Sequence, residues 1–327
     1  MGFLKRWVGK KEKHQIGNRT VIIIDYVETH EDDVEEIDKR TIHEIKSNIL
    51  KLCKINKMAQ EFKELIIKIK EGNKLYDYRL GKNAGAAAHV FIKNKFIITL
   101  NVKDLIDKKI LYACLTHEIT HLWHEYSSKI FSKYHKHYKK ISNRNSNRIK
   151  LTVISKRSTF IAQLRILFFE LFRAFLFEGL AKYCEKFYTK EIKLDDKSYF
   201  KKIYGHADSQ VGLFSLEWKV FIEVLENNRY DKERLNGLLL SFQTLYRSSY
   251  IIGYHMVYTI IYTDKNISIE DIAKMNYIKF INTYERCIKL NRFKPVVSLR
   301  SGKGIINYFT LIKETKQIAH KLKLFKS

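Results

Sequence analysis

The sequence predicts an α+β fold that is rich in helix. Hydrophobic residues make up 45% of its 327 residues and aromatic residues 13%, which supplies enough apolar side chains for an ordered core. One proline and 13 glycines leave few positions that would interrupt long helices. β-Branched runs of strand length occur early in the chain, and helical patterns follow them. We therefore expect one compact body with an α/β N-terminal part and an all-helical C-terminal part.

Extended segments predict the strands of the N-terminal part. Residues 21–27 form a β-branched run that is typical of a buried strand. Residues 64–70 fit either a second strand, which we favour, or the tail of the helical pattern before them. Residues 86–92 and 96–101 flank a polar turn and indicate a hairpin. This hairpin is either an ordinary part of the core or an extended edge to which a substrate backbone adds as a strand.

The helical pattern after the hairpin contains an HExxH motif. The pattern runs from about residue 102 or 104 to about residue 134, and the motif residues are His117, Glu118 and His121. Residues four apart lie on the same face of a helix, so both histidines can offer an imidazole nitrogen to one zinc ion. Glu118 points beside that position, where a carboxylate can accept a proton from water.

The apolar residues of this predicted helix cluster on the side opposite His117, which indicates that this side packs against the rest of the protein. At 100° per residue, apolar side chains fall about 140° to 220° away from His117: Leu115, Ile119, Leu122, Tyr126 and Ile130. His124 falls within about 40° of His117, and we expect it beside the site or at the surface rather than as a ligand. The pattern also fits a plain amphipathic helix with a polar outer face.

A zinc site with two histidines needs a third protein ligand, which is commonly a carboxylate. No Asp or Glu occurs from residue 126 to residue 169, so the first downstream carboxylates are Glu170 and Glu178. Within an apolar helix predicted at residues 159–188, Glu178 shares a stripe with apolar residues, whereas Glu170 points away. A carboxylate on a buried stripe must be paired or bind a metal. The small residues near it, such as Gly179, would let a second helix approach closely.

The segments HEITH at 117–121 and FEGLAKY at 177–183 together resemble the gluzincin branch of zincin metallopeptidases, especially the peptidase MA-like families whose glutamate lies in an EGxAxY helix. The resemblance implies a zincin-like fold, with a small N-terminal mixed sheet, an active-site helix and an all-helical C-terminal part. It also implies one zinc ion held by His117, His121 and Glu178, with Glu118 as the catalytic base. The 56 residues between His121 and Glu178 exceed the spacer of the best-known gluzincins.

The segment YIIGYHMV at 250–257 resembles a later helix of those families, which begins with a tyrosine. Its Tyr250, Tyr254 and His255 are the available donors to the oxyanion of a tetrahedral intermediate. Core packing is the alternative for each of them. Tyr250 is the first candidate because it matches the family position, and His255 is the second.

These assignments divide the chain into segments. We expect a basic N-terminal segment at residues 1–19 and a single zincin-like body at residues 20–327. Within that body, residues 20–126 form the α/β part with the HExxH helix, residues 127–157 form a basic insertion, and residues 158–327 form the helical part with the glutamate helix.

The net charge of +26 makes nucleic acid, an anionic membrane surface or an acidic substrate compatible partners. The alternative is a solvated, lysine-rich surface that reflects a compositional bias. The four cysteines lie far apart without a CxxC pair, which excludes a cysteine zinc finger. With no apolar run of signal-peptide or membrane-span length, we expect a cytoplasmic protein.

The motifs favour a zinc metallopeptidase that hydrolyses a peptide or protein substrate held along the hairpin at 86–101. One alternative is a basic protein that binds nucleic acid or an anionic membrane on a zincin-like scaffold, with little or no hydrolysis. A purely structural zinc site is a third possibility. The presence of Glu118 argues against it, because a structural site does not need a general base.

Overall fold

A mixed sheet and a set of helices make up the fold. The computed structural model describes residues 10–27, 39–70, 75–77, 82–84, 87–92, 95–101, 106–127, 157–191, 249–290, 300–301 and 304–305. In chain order the elements are β1 (Lys10–Ile16), β2 (Thr20–Val27), α1 (Lys39–Ile55), a 3-10 turn (Ala59–Glu61), β3 (Glu64–Lys70), β4 (Leu75–Asp77), β5 (Lys82–Ala84), β6 (Ala87–Ile92), β7 (Lys95–Asn101), α2 (Lys108–Ser127), α3 (Arg157–Glu191), α4 (249–263), α5 (Ile269–Ala273), α6 (Tyr277–Leu290), β8 (Arg300–Ser301) and β9 (Gly304–Ile305).

Five strands form the main sheet in the order β1-β2-β3-β7-β6. β2, β3 and β7 run parallel, whereas β1 and β6 are antiparallel to their neighbours at the two edges. The inner strands bury aliphatic side chains completely, among them Ile22, Leu65 and Ile98. The strands expected at 21–27 and 64–70 and the hairpin within 86–101 are therefore confirmed, and the chain has a mixed α/β character.

α1 provides the crossover that two parallel neighbours, β2 and β3, require. Its buried residues recur every three or four positions, as expected for a helix that packs along one stripe: Ile42, Ile45, Ile49, Leu52 and Cys53. The side chain of Asn56 then accepts hydrogen bonds from the backbone N–H groups of Met58 and Ala59, at 3.0 and 3.2 Å, and turns the chain toward β3.

Part of the basic segment expected at residues 1–19 belongs to the main sheet. β1 pairs along its whole length with β2, from Lys10 opposite Tyr26 to Ile16 opposite Thr20. Among the side chains described in β1, Ile16 alone is buried, because the strand lies at an edge of the sheet and its other residues are charged or polar. The hairpin therefore spans the boundary that was expected at residue 20.

α2 carries the HExxH motif and begins later than expected. Asp107 caps its first turn, since the Oδ1 atom of Asp107 accepts a hydrogen bond of 2.7 Å from the backbone N–H of Lys109. The helix is described to Ser127, and its expected continuation to about residue 134 lies outside the described residues.

An amphipathic α2 with a polar outer face would expose the side that carries the histidines. The structure buries much of that side as well. Leu115 and Ile119 are fully buried as expected, but so is His124, and His121 is only 3% exposed. A surface position for His124 is therefore wrong. Tyr126, expected on the packed side, is instead 55% exposed, although its ring still contacts those of two phenylalanines of the sheet part.

α3 confirms the helix expected at residues 159–188. Glu178 is buried together with Leu171, Ala174 and Ala181, as the projection predicts, but residues 171–181 are buried around most of the helix and not along one stripe only. The predicted close approach of a second helix is also found. A Cβ atom added to Gly179 would overlap the backbone of Gly253 on α4, and one added to Gly253 would overlap the carbonyl oxygen of Phe175. Glycine is required at both positions because the two backbones touch there.

In the C-terminal part, the chain breaks between α5 and α6, where the side chain of Asn276 caps α6 by accepting a hydrogen bond of 2.8 Å from the backbone N–H of Lys279. The part is also not entirely helical, because β8 pairs with β9. Most of the basic insertion expected at residues 127–157 lies outside the described residues.

The chain divides into two compact units. One contains the main sheet, α1, α2 and the end of α3 from Cys184, and the other contains α3 up to Tyr183 together with α4, α5 and α6. Among the helices that the structure describes, none has the combined length and apolarity that a membrane crossing requires.

Candidate metal centre

The two histidines of the HExxH motif approach each other on α2. The Nε2 atoms of His117 and His121 lie 2.9 Å apart, and their rings are nearly perpendicular, with centroids separated by 4.5 Å. His121 is buried and His117 is half-buried. The four-residue spacing produces this arrangement because it returns the chain to the same helix face one turn later. Both imidazoles thus present the same ring nitrogen to one point.

Glu178 brings a carboxylate to these histidines. One ligand atom from each of His117, His121 and Glu178 lies within 4.8 Å of the other two, in the part of the chain that the structure describes. Glu178 is 6% exposed, so its carboxylate is largely removed from water. The structure therefore joins the three residues that the sequence motifs indicated as metal ligands, and this group could hold a metal ion.

The donor set fits zinc. Two imidazole nitrogens and one carboxylate oxygen are common protein ligands of catalytic zinc sites. Nitrogens bound at about 2.0–2.1 Å in a tetrahedron lie about 3.3 Å from each other. The 2.9 Å between the two Nε2 atoms is a few tenths of an ångström shorter. A small rotation of either ring would open this distance, and a buried carboxylate beside the two rings supplies the negative charge that a divalent cation requires.

Glu185 is a site residue that sequence reasoning missed. Its Oε2 atom lies 3.4 Å from Nδ1 of His117, and the Glu185 side chain is 2% exposed. The signal that could have revealed it is its spacing from Glu178. Seven residues correspond to almost two helical turns, so both carboxylates lie within about 20° of each other around α3.

Glu118 follows His117 on α2 and lies about 100° further around the helix. It is half-buried, in contrast with the fully buried apolar residues on either side of the motif, Leu115 and Ile119. Partial exposure keeps water within reach of its carboxylate, which a proton acceptor for an attacking water needs.

Tyr250 and His255 lie on α4, outside the group of three candidate ligands. Tyr250 is half-buried and His255 is 8% exposed. Gly253 marks the side of α4 that touches α3. Around the helix, Tyr250 lies about 60° from Gly253, whereas His255 lies about 160° from it. The side of α4 that faces the glutamate helix therefore favours Tyr250, and both residues remain predictions as oxyanion donors.

Tyr254, the third donor considered on α4, is 5% exposed, and its ring lies 5.0 Å from that of His255 and 6.3 Å from that of Tyr183. Burial raises the pKa of Tyr254, and the neighbouring Tyr258 adds to the rise. Its hydroxyl group consequently stays protonated at neutral pH. These ring contacts favour a packing role for Tyr254.

Comparisons with known proteins do not extend this description. No protein-family model matches the chain, and no curated protein or solved structure matches it either. The candidate metal centre therefore stands on its residues and their geometry.

Proposed function

We propose that the protein is a zinc-dependent metallopeptidase of the gluzincin type. The observation that supports this proposal is the meeting of His117, His121 and Glu178 within 4.8 Å. Two of these residues are one helical turn apart, but 56 residues separate the third from His121. Local spacing therefore cannot bring Glu178 to the two histidines, and only the folding of the chain can do so. Three protein ligands with one open position are the pattern of a catalytic zinc site, whereas structural sites use four.

Zinc held at this position would lower the pKa of a coordinated water and polarise a substrate carbonyl. In the proposed reaction, the Glu118 carboxylate accepts a proton from the attacking water and then delivers it to the leaving amine nitrogen. The ligand atoms of His117, His121 and Glu178 would hold the metal and transfer no proton in this reaction.

Tyr250 is our candidate donor to the oxyanion that forms when water attacks the carbonyl. Its position on the Gly253 side of α4 supports this role over His255. Removing one oxyanion donor typically lowers kcat by about 10²- to 10³-fold. Tyr250→Phe should show such a loss with unchanged zinc content, and Tyr258→Phe on the same helix is the matched control. Equal kcat values in wild type and Tyr250→Phe would show that Tyr250 is not the oxyanion donor.

The substrate is proposed to bind as an added strand on β6. β6 lies at an edge of the main sheet, antiparallel to β7, and begins with two alanines, Ala87 and Ala88. Edge strands offer backbone N–H and C=O groups to an extended peptide, and small side chains let the two backbones approach. Among the described elements, α2 comes next after β7, in keeping with a zincin-like arrangement.

Peptide hydrolysis dependent on the metal tests this proposal. The full chain would be incubated with a mixed peptide library, with and without a chelator, and new termini would be identified by mass spectrometry. We expect cleavage that the chelator abolishes and added zinc restores. His121→Ala should lose both zinc and cleavage, while His43→Ala, which changes an exposed histidine on α1, should lose neither. Zinc-loaded protein that cleaves no peptide in the library would contradict the proposal.

A further inference from the structure

The two ring nitrogens of His117 face different partners. Nε2 lies 2.9 Å from Nε2 of His121, within the candidate metal centre. Nδ1 lies 3.4 Å from Oε2 of Glu185, at the opposite edge of the ring. A neutral imidazole carries one proton, so the nitrogen that donates to a carboxylate leaves the other with a lone pair. A proton on Nδ1 thus directs the lone pair of Nε2 toward the metal position.

The burial of Glu185 shows that this contact is not a surface ion pair. The side chain of Glu185 is 2% exposed and that of His117 is 13% exposed. A carboxylate removed from water to this extent is costly unless it meets a cation or a hydrogen-bond donor. At 3.4 Å the two atoms are within ion-pair range but do not meet the geometry of a hydrogen bond, which is about 2.7–2.9 Å long when charge-assisted. A rotation of the His117 ring that turns Nδ1–H toward Oε2 would complete the hydrogen bond.

The geometry of α3 links Glu185 to the proposed third ligand. Glu178 and Glu185 are seven residues apart, about 10 Å along the axis and about 20° around it. Both are buried, at 6% and 2% exposure. One face of one helix therefore carries a carboxylate for the metal and a second carboxylate for the ring of His117.

We infer that Glu185 is a positioning residue that holds the His117 ring with its Nε2 atom directed at the metal. This inference rests on the proposed metal site. Glu185 does not bind the metal or the substrate. Its carboxylate accepts the Nδ1–H of His117, fixes the tautomer and the orientation of the ring, and raises the basicity of the ligating nitrogen.

Zinc affinity of the purified full chain tests the inference. The dissociation constant would be measured by competition with a chromogenic chelator. We expect Glu185→Ala to weaken zinc binding by about 10- to 100-fold, the usual effect of losing such a partner. Glu185→Gln keeps a hydrogen-bond acceptor on a side chain of the same length but removes the charge. It should weaken zinc binding by at least about threefold, and by less than Glu185→Ala does. Cys184→Ala, a buried change at the neighbouring position, is the control and should bind zinc as wild type does.

The visible spectrum of the cobalt(II)-loaded protein gives a readout that a merely structural role would not change. The spectrum reports the geometry of the metal ligands, so both Glu185 variants should alter it and Cys184→Ala should not. If Glu185→Ala does not fold, the glutamine variant carries the test alone. Glu185 variants that match wild type in zinc affinity and in cobalt spectrum would overturn the inference and leave the proposed function intact. A wild-type chain that binds no zinc would overturn both.

Discussion

Replacing Glu118 with glutamine should lower the rate of peptide hydrolysis by at least about 100-fold while the protein keeps its zinc. General acid-base catalysis by one positioned side chain contributes about 10²- to 10⁴-fold. Glutamine has the same length and fills the same space, but its amide cannot accept a proton from water. The variant should therefore lose catalysis without losing the metal. The measurements are kcat/KM on a peptide identified in the library and zinc content per chain.

Glu125→Gln is the matched control for this substitution. Glu125 lies on the same helix, α2, and is also half-buried, so it reports any general effect of removing a carboxylate from that helix. We expect its rate to stay within about twofold of wild type. A Glu118→Gln variant with wild-type kcat/KM would contradict the general-base role. Zinc lost together with activity would mean that Glu118 holds the metal instead.

Gly179→Ala should destabilise the protein strongly, although alanine is the better helix former. In an open helix the change would stabilise by about 1 kcal/mol. Here the added Cβ atom would overlap the backbone of Gly253. Overpacking of a closed contact costs about 1–3 kcal/mol or more, and a backbone neighbour cannot rotate away as a side chain can. The steric term therefore outweighs helix propensity, and the free energy of unfolding should fall.

Denaturant unfolding of the full chain measures this effect. Gly253→Ala should behave in the same way, because its Cβ atom would meet the carbonyl oxygen of Phe175. Cys184→Ala removes a side chain from the same helix without adding one, and it serves as a control for a change in α3 that creates no overlap. Gly179 also neighbours Glu178, so the alanine variant should bind zinc more weakly. Gly179→Ala with stability equal to or above wild type would disprove the tight packing of α3 against α4.

The helices that carry the candidate ligands could be predicted because their evidence is local. The four-residue spacing of His117 and His121 identifies them as a possible pair of metal ligands. Because no Asp or Glu occurs from residue 126 to residue 169, Glu170 and Glu178 are the first carboxylates downstream of α2. Helix periodicity then favoured Glu178, because it shares a stripe with apolar residues. The strands at 21–27 and 64–70 were equally accessible, since a run of β-branched residues is enough to indicate a buried strand.

Other features depend on contacts that no local pattern encodes. β1 consists of charged and polar residues up to Gln15, and only Ile16 is buried among its described side chains, so this edge strand resembles a solvated segment in the sequence. The break before α6 depends on one capping side chain, that of Asn276. Glu185 belongs to no motif, although its seven-residue spacing from Glu178 places both on the same face of α3.

The burial of His124 shows a further limit of projection. Helix periodicity placed it correctly on the side of His117, about 20° away. It could not show whether that side is covered, because cover depends on other elements of the fold. His124 is in fact fully buried. Periodicity therefore reports which residues share a face, and only the structure reports what lies against that face.

Anomalous diffraction at the zinc edge tests the central claim most directly. Crystals of the full chain, grown with zinc and without a chelator, should show one strong anomalous peak within bonding distance of the Nε2 atoms of His117 and His121 and of a carboxylate oxygen of Glu178. An absent peak in zinc-loaded protein, or a peak bound by other residues while this group stays empty, would contradict the account.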